Sequence, residues 1–167
     1  MTKEVKRSYL EINSLEDLNE GSRPTSDYYL NLLDPINFQL NKFFYKNIGI
    51  KHKWVDRLTW TEKQWIDYVS SKIVKTYVLK CKDDLVGFFE LINHQEKKEV
   101  EIAYLGILEE YHNKKLGSYL LSEAIKISFK NKIDRVWVHT CTLDHKNALN
   151  NYVTRGMKIF KTEIINI

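Results

Sequence analysis

Two stretches of the chain place chemistry-bearing side chains beside the backbone features that such chemistry needs. The first is Val100 to Leu121, VEIAYLGILEEYHNKKLGSYLL. An apolar run leads into a basic loop, and the loop opens a helix. The first turn of a helix leaves N–H groups unpaired and carries partial positive charge, so this junction can bind a phosphate group. Gly117 lets the backbone approach a ligand closely, and Lys114 and Lys115 add charge. A plain strand-to-helix turn also fits the pattern. Inside the apolar run stands Glu101. A carboxylate there is costly unless it is paired or used. Burial would raise its pKa toward working pH, which suits a general base. The other reading of Glu101 is a frayed, solvated strand start.

The second stretch is Val136 to Met157, VWVHTCTLDHKNALNNYVTRGM. It carries Asn147, Ala148 and Tyr152, then Gly156. Asn147 and Tyr152 lie too far apart to share a helical stripe, and taken alone Tyr152 reads as a core aromatic. His139, Cys141 and His145 have the form H-x-C-x-x-x-H. No fourth ligand of matching spacing accompanies them, so no metal site is expected. No orienting acid supports Cys141 and His139 as a nucleophilic pair. Asp144 is expected to cap the helix that follows.

The elements that must hold these residues follow from periodicity and punctuation. A first strand is expected over about 5–12, then a polar segment over 13–36 broken by Gly21, Pro24 and Pro35. Asn37 to Asn47 has helical spacing and should end at Gly49. Thr61 to Gln64 has the form of a capping box, opening a helix to about Ser70 that buries Trp65, Ile66 and Val69. Thr76–Cys81 and Leu85–Leu91 form a hairpin. Val100–Leu108 reads as a central strand buried on both faces. Leu116–Lys130 is an amphipathic helix with Leu120, Leu121, Ala124, Ile125 and Ser128 inward. Strand 135–142, helix 147–155 stopped by Gly156, and strand 157–165 complete an α/β order with antiparallel strands first and a βαβ unit after.

Composition bounds the rest. The 167 residues fit one domain, and 43% hydrophobic with 29% charged residues is ordinary for a globular chain. The net charge of +4 comes from interspersed charges, so no nucleic-acid partner is expected. Two unpaired-looking cysteines, no apolar leader and no long apolar run point to a cytoplasmic protein with no membrane partner. The aromatics Tyr28, Tyr29, Phe43, Phe44, Tyr45, Trp54, Trp60 and Trp65 read as helix core, or in part as an acceptor pocket.

Together the two stretches resemble the GCN5-related N-acetyltransferase (GNAT) family. Its cofactor motif, Arg/Gln-x-x-Gly-x-Gly/Ala after a central strand, is matched by His112, Asn113, Lys114, Lys115, Leu116 and Gly117. Its later motif, Asn-x-x-Ala, then Tyr and a closing Gly-Phe, is matched by Asn147-Ala148, Tyr152 and Gly156-Met157. The resemblance covers roughly 75–165. It implies a mixed, mostly antiparallel central sheet with a splayed strand and flanking helices, the acyl-CoA N-acyltransferase fold. It implies a single domain over 1–167, with 1–74 the variable substrate side and 75–165 the cofactor core.

The resemblance further implies transfer of an acetyl group from acetyl-CoA to a primary amine, carried by a small molecule or a peptide, with a homodimer as one allowed assembly. The backbone of Leu105, Gly106 and Ile107 would pair with the pantetheine arm of coenzyme A, where a bulge is expected. Residues 112 to 118, including Ser118, would hold the pyrophosphate, and Asn147 would contact the arm. Glu101 would act as base and Tyr152 as general acid, while an N–H near Ile107 would polarise the carbonyl. His112 and Lys115 depart from the motif, and they motivate a second reading as a non-catalytic acyl-CoA sensor.

Overall fold

The computed structural model describes residues 2–166. Its elements run β1 (Glu4–Ile12), β2 (Tyr28–Leu32), α1 (Phe38–Gly49), α2 (Glu62–Ser70), β3 (Val74–Cys81), β4 (Asp84–His94), β5 (Glu99–Ile107), α3 (Leu116–Ser128), β6 (Arg135–Cys141), α4 (Ala148–Thr154) and β7 (Lys158–Asn166). Local signals start and stop several of them. Thr61 and Gln64 form the expected capping box, with Gln64 N–H donating to Thr61 Oγ1 at 3.2 Å and Thr61 N–H to Gln64 Oε1 at 2.8 Å. Gly156, at φ 109°, ends α4. Its N–H and that of Met157 close onto the carbonyls of Val153 and Tyr152, which satisfies the last turn. A Cβ at Gly156 would run into the Asp17 carbonyl.

The strands form one seven-stranded sheet in the order β2-β3-β4-β5-β6-β1-β7. Every neighbouring pair is antiparallel except β5 and β6. Helices α3 and α4 cover one face. Leu116, Leu120, Leu121, Ala124 and Ile125 of α3 are buried there against Phe89, Val100, Ile102 and Val136. On the other face α1 buries Phe44 and Ile48 against Val78, Phe88 and Leu108. Phe44 stacks on Phe88 with ring centroids 4.9 Å apart.

Four local expectations are corrected. The polar segment 13–36 contains β2, which pairs with β3 from Tyr28↔Cys81 to Leu32↔Tyr77. It is a short edge strand that leaves Tyr29 and Leu32 exposed, so it lacks a continuous apolar signature. Ile66 is exposed, because α2 turns only Trp65 and Val69 fully inward. The middle of β5, Ala103 to Gly106, is half-buried rather than covered on both faces. Gly49 ends α1 without a left-handed turn; a Cβ there would meet the Trp54 side chain at 2.6 Å.

Candidate active site

The site begins where the sheet stops being a sheet. Among the described residues, β5 and β6 pair only at Glu99↔Arg135, Val100↔Val136 and Glu101↔Trp137. Beyond Glu101 the two strands diverge, and the β6-facing edge of β5 is left without a strand partner. A bulge helps to turn β5 away: Tyr104 pairs with Glu90 and Ile102 with Leu91, so Ala103 is the extra residue. The expected bulge near Gly106 therefore lies three positions earlier. Gly106 answers a different need, because a Cβ there would meet Ile48 of α1 at 2.7 Å.

The divergence opens a cavity of about 700 Å³. Its walls include Ile102 to Ile107 of β5, residues 111–113 and 115–118, Val138 and His139 of β6, and Asn147, Ala148, Asn151 and Tyr152 around α4. Of the predicted cofactor residues, Leu105, Gly106, Ile107, His112, Asn113, Lys115, Leu116, Gly117, Ser118 and Asn147 all line it. Lys114 instead turns its ammonium over the Tyr111 ring, 5.5 Å from the centroid.

The loop before α3 is built to present backbone. Asn113 and Lys115 both take left-handed angles, φ 63° and 61°. For a non-glycine residue that costs roughly 1–2 kcal/mol. The buried Leu116, Leu120, Leu121 and Ile125 of α3 contribute about 1.5–3 kcal/mol each, so the packed helix outweighs the strain in its cap. No side chain caps the first turn of α3 among the described residues, so its orphan N–H groups remain available. A Cβ on Gly117 would meet only Asn151 Nδ2, at 3.8 Å, so the cradle is open there. His112 folds back instead: its Nε2 bonds the Ile107 carbonyl at 2.9 Å.

Tyr152, on α4, is buried at the cavity wall. Burial, and then the negative charge of Asp144, push its phenol well above the ordinary range. It therefore keeps its proton at neutral pH and can donate a hydrogen bond into the cavity. Glu101 lies at the last β5–β6 paired position, and the cavity lining starts one residue later, at Ile102. Its carboxylate pairs with His94 Nε2 at 3.0 Å. Val100 and Ile102 belong to the α3-side core, so Glu101 faces the other side of the sheet.

Several site residues carried no signal in the sequence. The segment after α1 crosses the cavity mouth: Trp54 Nε1 donates to Asp144 Oδ1 at 3.3 Å, and His52 Nδ1 meets the Leu143 carbonyl at 3.3 Å. Asp144 does not cap α4 as expected. Its Oδ2 accepts from Thr140 Oγ1 and from the Cys141 N–H, so it closes the end of β6 instead. The N–H of Asn147, the residue that precedes α4, donates to His145 Nδ1 at 3.1 Å. His139, on β6, is exposed, and no group of three His, Cys, Asp or Glu side chains among the described residues is arranged to hold a metal ion.

Behind the cavity, Glu90 is fully buried and ion-paired with Arg57 at 3.0 Å. The Arg57 guanidinium lies 4.2–5.6 Å from the ring centroids of Tyr45, Trp60, Trp65, Tyr68 and Tyr104. Three of the eight N-terminal aromatics, Tyr45, Trp60 and Trp65, thus surround an internal cation, and of the eight only Trp54 lines the cavity. Glu90 stands in an apolar run, Val86 to Ile92, as Glu101 does in its own, so the same signal could have found it.

Comparison with known proteins agrees with this architecture. The family model described as Acetyltransferase (GNAT) family matches residues 36–157. No curated protein matches the sequence. A GCN5-related N-acetyltransferase from Sphaerobacter thermophilus superposes with a TM-score of 0.76 at 12% identity, over 99% of this chain and 52% of that one. One from Kribbella flavida gives 0.66 at 13%, over 96% of this chain and 56% of that one. An aminoglycoside acetyltransferase from an uncultured soil metagenomic sample gives 0.63 at 12%, over 77% and 86%. The chain thus spans little more than half the length of the first two. At these identities the likeness is one of fold. No helix among the described residues is long and apolar enough to cross a membrane.

Proposed function

Because the chain belongs to the GNAT acetyltransferase family, we propose that it transfers an acetyl group from acetyl-CoA to a primary amine by direct attack. One observation carries the reading. The unpaired edge of β5 leads straight into a left-handed loop and an uncapped helix N-terminus, all along one cavity. An extended amide-bearing arm fits the first of these, and a pyrophosphate fits the second. Residues 75–165 serve as the cofactor core and 1–74 as the acceptor side. The left-handed angle at Lys115 supports cofactor binding, since the loop keeps its shape without the motif glycine; turnover of acetyl-CoA separates the enzyme from a non-catalytic sensor.

Bound acetyl-CoA supplies an activated thioester. The chain's own groups do the rest. The edge of β5 from Leu105 to Ile107 orients the arm, and an N–H near Ile107 polarises the thioester carbonyl. Residues 112–118 hold the phosphates. Tyr152 gives its phenolic proton to the departing sulfur. Glu101 takes a proton from the amine, and its hydrogen bond to His94 orients the carboxylate. The acceptor is a small amine, a class that the aminoglycoside acetyltransferase neighbour supports. Calorimetric titration with acetyl-CoA and with coenzyme A tests the reading. Binding that weakens when Lys114 and Lys115 are neutralised is expected. Absence of binding at millimolar ligand would remove the basis for an enzyme.

A further inference from the structure

Three histidines from three separate loops meet at the cavity mouth. His52 follows α1, His112 precedes α3 and His145 precedes α4. The His112 and His145 rings lie 5.1 Å apart and the His52 and His145 rings 5.9 Å, and all three line the cavity. The proposed chemistry uses neither His52 nor His145.

Backbone partners fix the neutral form of each ring. A carbonyl can only accept, so His112 carries its proton on Nε2, toward Ile107, and His52 on Nδ1, toward Leu143. His145 Nδ1 accepts the Asn147 N–H, so its proton sits on Nε2. The nitrogens without a backbone partner are therefore two lone pairs, His112 Nδ1 and His52 Nε2, and one donor, His145 Nε2. A protonated imidazole donates from both nitrogens, so with His112 and His52 in that form the three rings present N–H donors and positive charge to the cavity. Such a set is complementary to a phosphate oxyanion and poorly suited to anything neutral.

The surrounding charges favour an anion. Lys53 adjoins His52, Lys146 adjoins His145, and Lys115 lines the same cavity. Against these stand Asp144, already held by Trp54 and Thr140, Asp56 on the cavity wall, and Glu109, which is paired with Lys51. Burial, then the neighbouring His112, His52 and Lys146, lower the pKa of His145, so its neutral form is favoured in the empty site. A bound dianion reverses that, and binding takes up protons.

We propose that His52, His112 and His145 form a pH-gated anion subsite at the cavity mouth, which when protonated grips a phosphate of coenzyme A beside the 112–118 loop. This rests on the cofactor reading above. The test is calorimetric titration of coenzyme A, and of its analogue lacking the 3′-phosphate, from pH 5.5 to 8.5. It compares the wild type with His52→Gln/His145→Gln. Phosphate ionisation is common to both proteins and cancels in the comparison. The wild type should gain about three- to tenfold in affinity over the variant as pH falls from 8 to 6, with net proton uptake, since one proton taken up gives up to about tenfold per pH unit. Loss of that gain with the analogue assigns the 3′-phosphate; its retention assigns the pyrophosphate. Equal pH slopes for both proteins would overturn the subsite while leaving the cofactor site intact. Absence of coenzyme A binding to the wild type at every pH would overturn both.

Discussion

Replacing Arg57 by leucine exposes how strongly the packing of α1 and α2 on the sheet depends on one internal charge. Glu90 is fully buried and accepts from Arg57 Nη1, from Tyr68 Oη at 2.7 Å and from Asn41 Nδ2 at 2.8 Å. In Arg57→Leu the carboxylate keeps two neutral donors and loses the countercharge that Arg57 supplies. Breaking a buried pair from one side costs about 3–5 kcal/mol. For a domain of this size each kcal/mol is worth about 2–4 °C, so Tm should fall by roughly 6–20 °C. Urea unfolding followed by tryptophan fluorescence reads the change directly, since Trp60 and Trp65 flank Arg57.

A double variant gives a second arm. Adding Glu90→Leu should recover much of the loss, because two apolar groups then replace the pair. A deficit below about 1 kcal/mol, or no recovery in the double variant, would refute the reasoning.

Three further outcomes follow from the same geometry. Tyr152→Phe should lower kcat by about 10²-fold or more while coenzyme A affinity changes little, and wild-type turnover would refute its role as acid. Lys115→Gly, at φ 61°, should raise stability by up to about 1 kcal/mol in denaturant unfolding, because strain relief exceeds the added freedom of the unfolded chain. His145, whose folded pKa is depressed below 6.5, contributes stability that is present above 6.5 and lost as pH falls through the folded value. Melting curves of His145→Gln should therefore fall less steeply than the wild type below that pH, and parallel curves would contradict the burial assigned to it.

The elements most legible in the sequence are those whose signals are local. The capping box at Thr61, the stop at Gly156 and the buried face of α3 each lie within a few residues of what they control. The loop from His112 to Gly117 was found by its composition alone, without the αL angles at Asn113 and Lys115. Other features depend on partners distant in the chain. β2 is a strand because β3 lies beside it, and Asp144 is drawn to Trp54 and to the end of β6 rather than to α4. The bulge sits at Ala103 rather than Gly106, and Gly106 instead makes room for Ile48 of α1. Arg57 and the histidine cluster meet their neighbours only through tertiary closure, which no spacing announces.

The placement of β1 bears on how the chain assembles. It lies between β6 and β7, pairing Ile12 with Val136 and Glu4 with Asn166. The most N-terminal of the seven strands is thus the last to find both neighbours. The meander β3-β4-β5 can form from contacts close in sequence, while the other half of the sheet waits for almost the whole chain. Pairings of such long range slow folding and leave edges exposed in the interval. Between the two events β1 is a strand without a sheet, so chaperone engagement and the earliest aggregation should concentrate on residues 4–12.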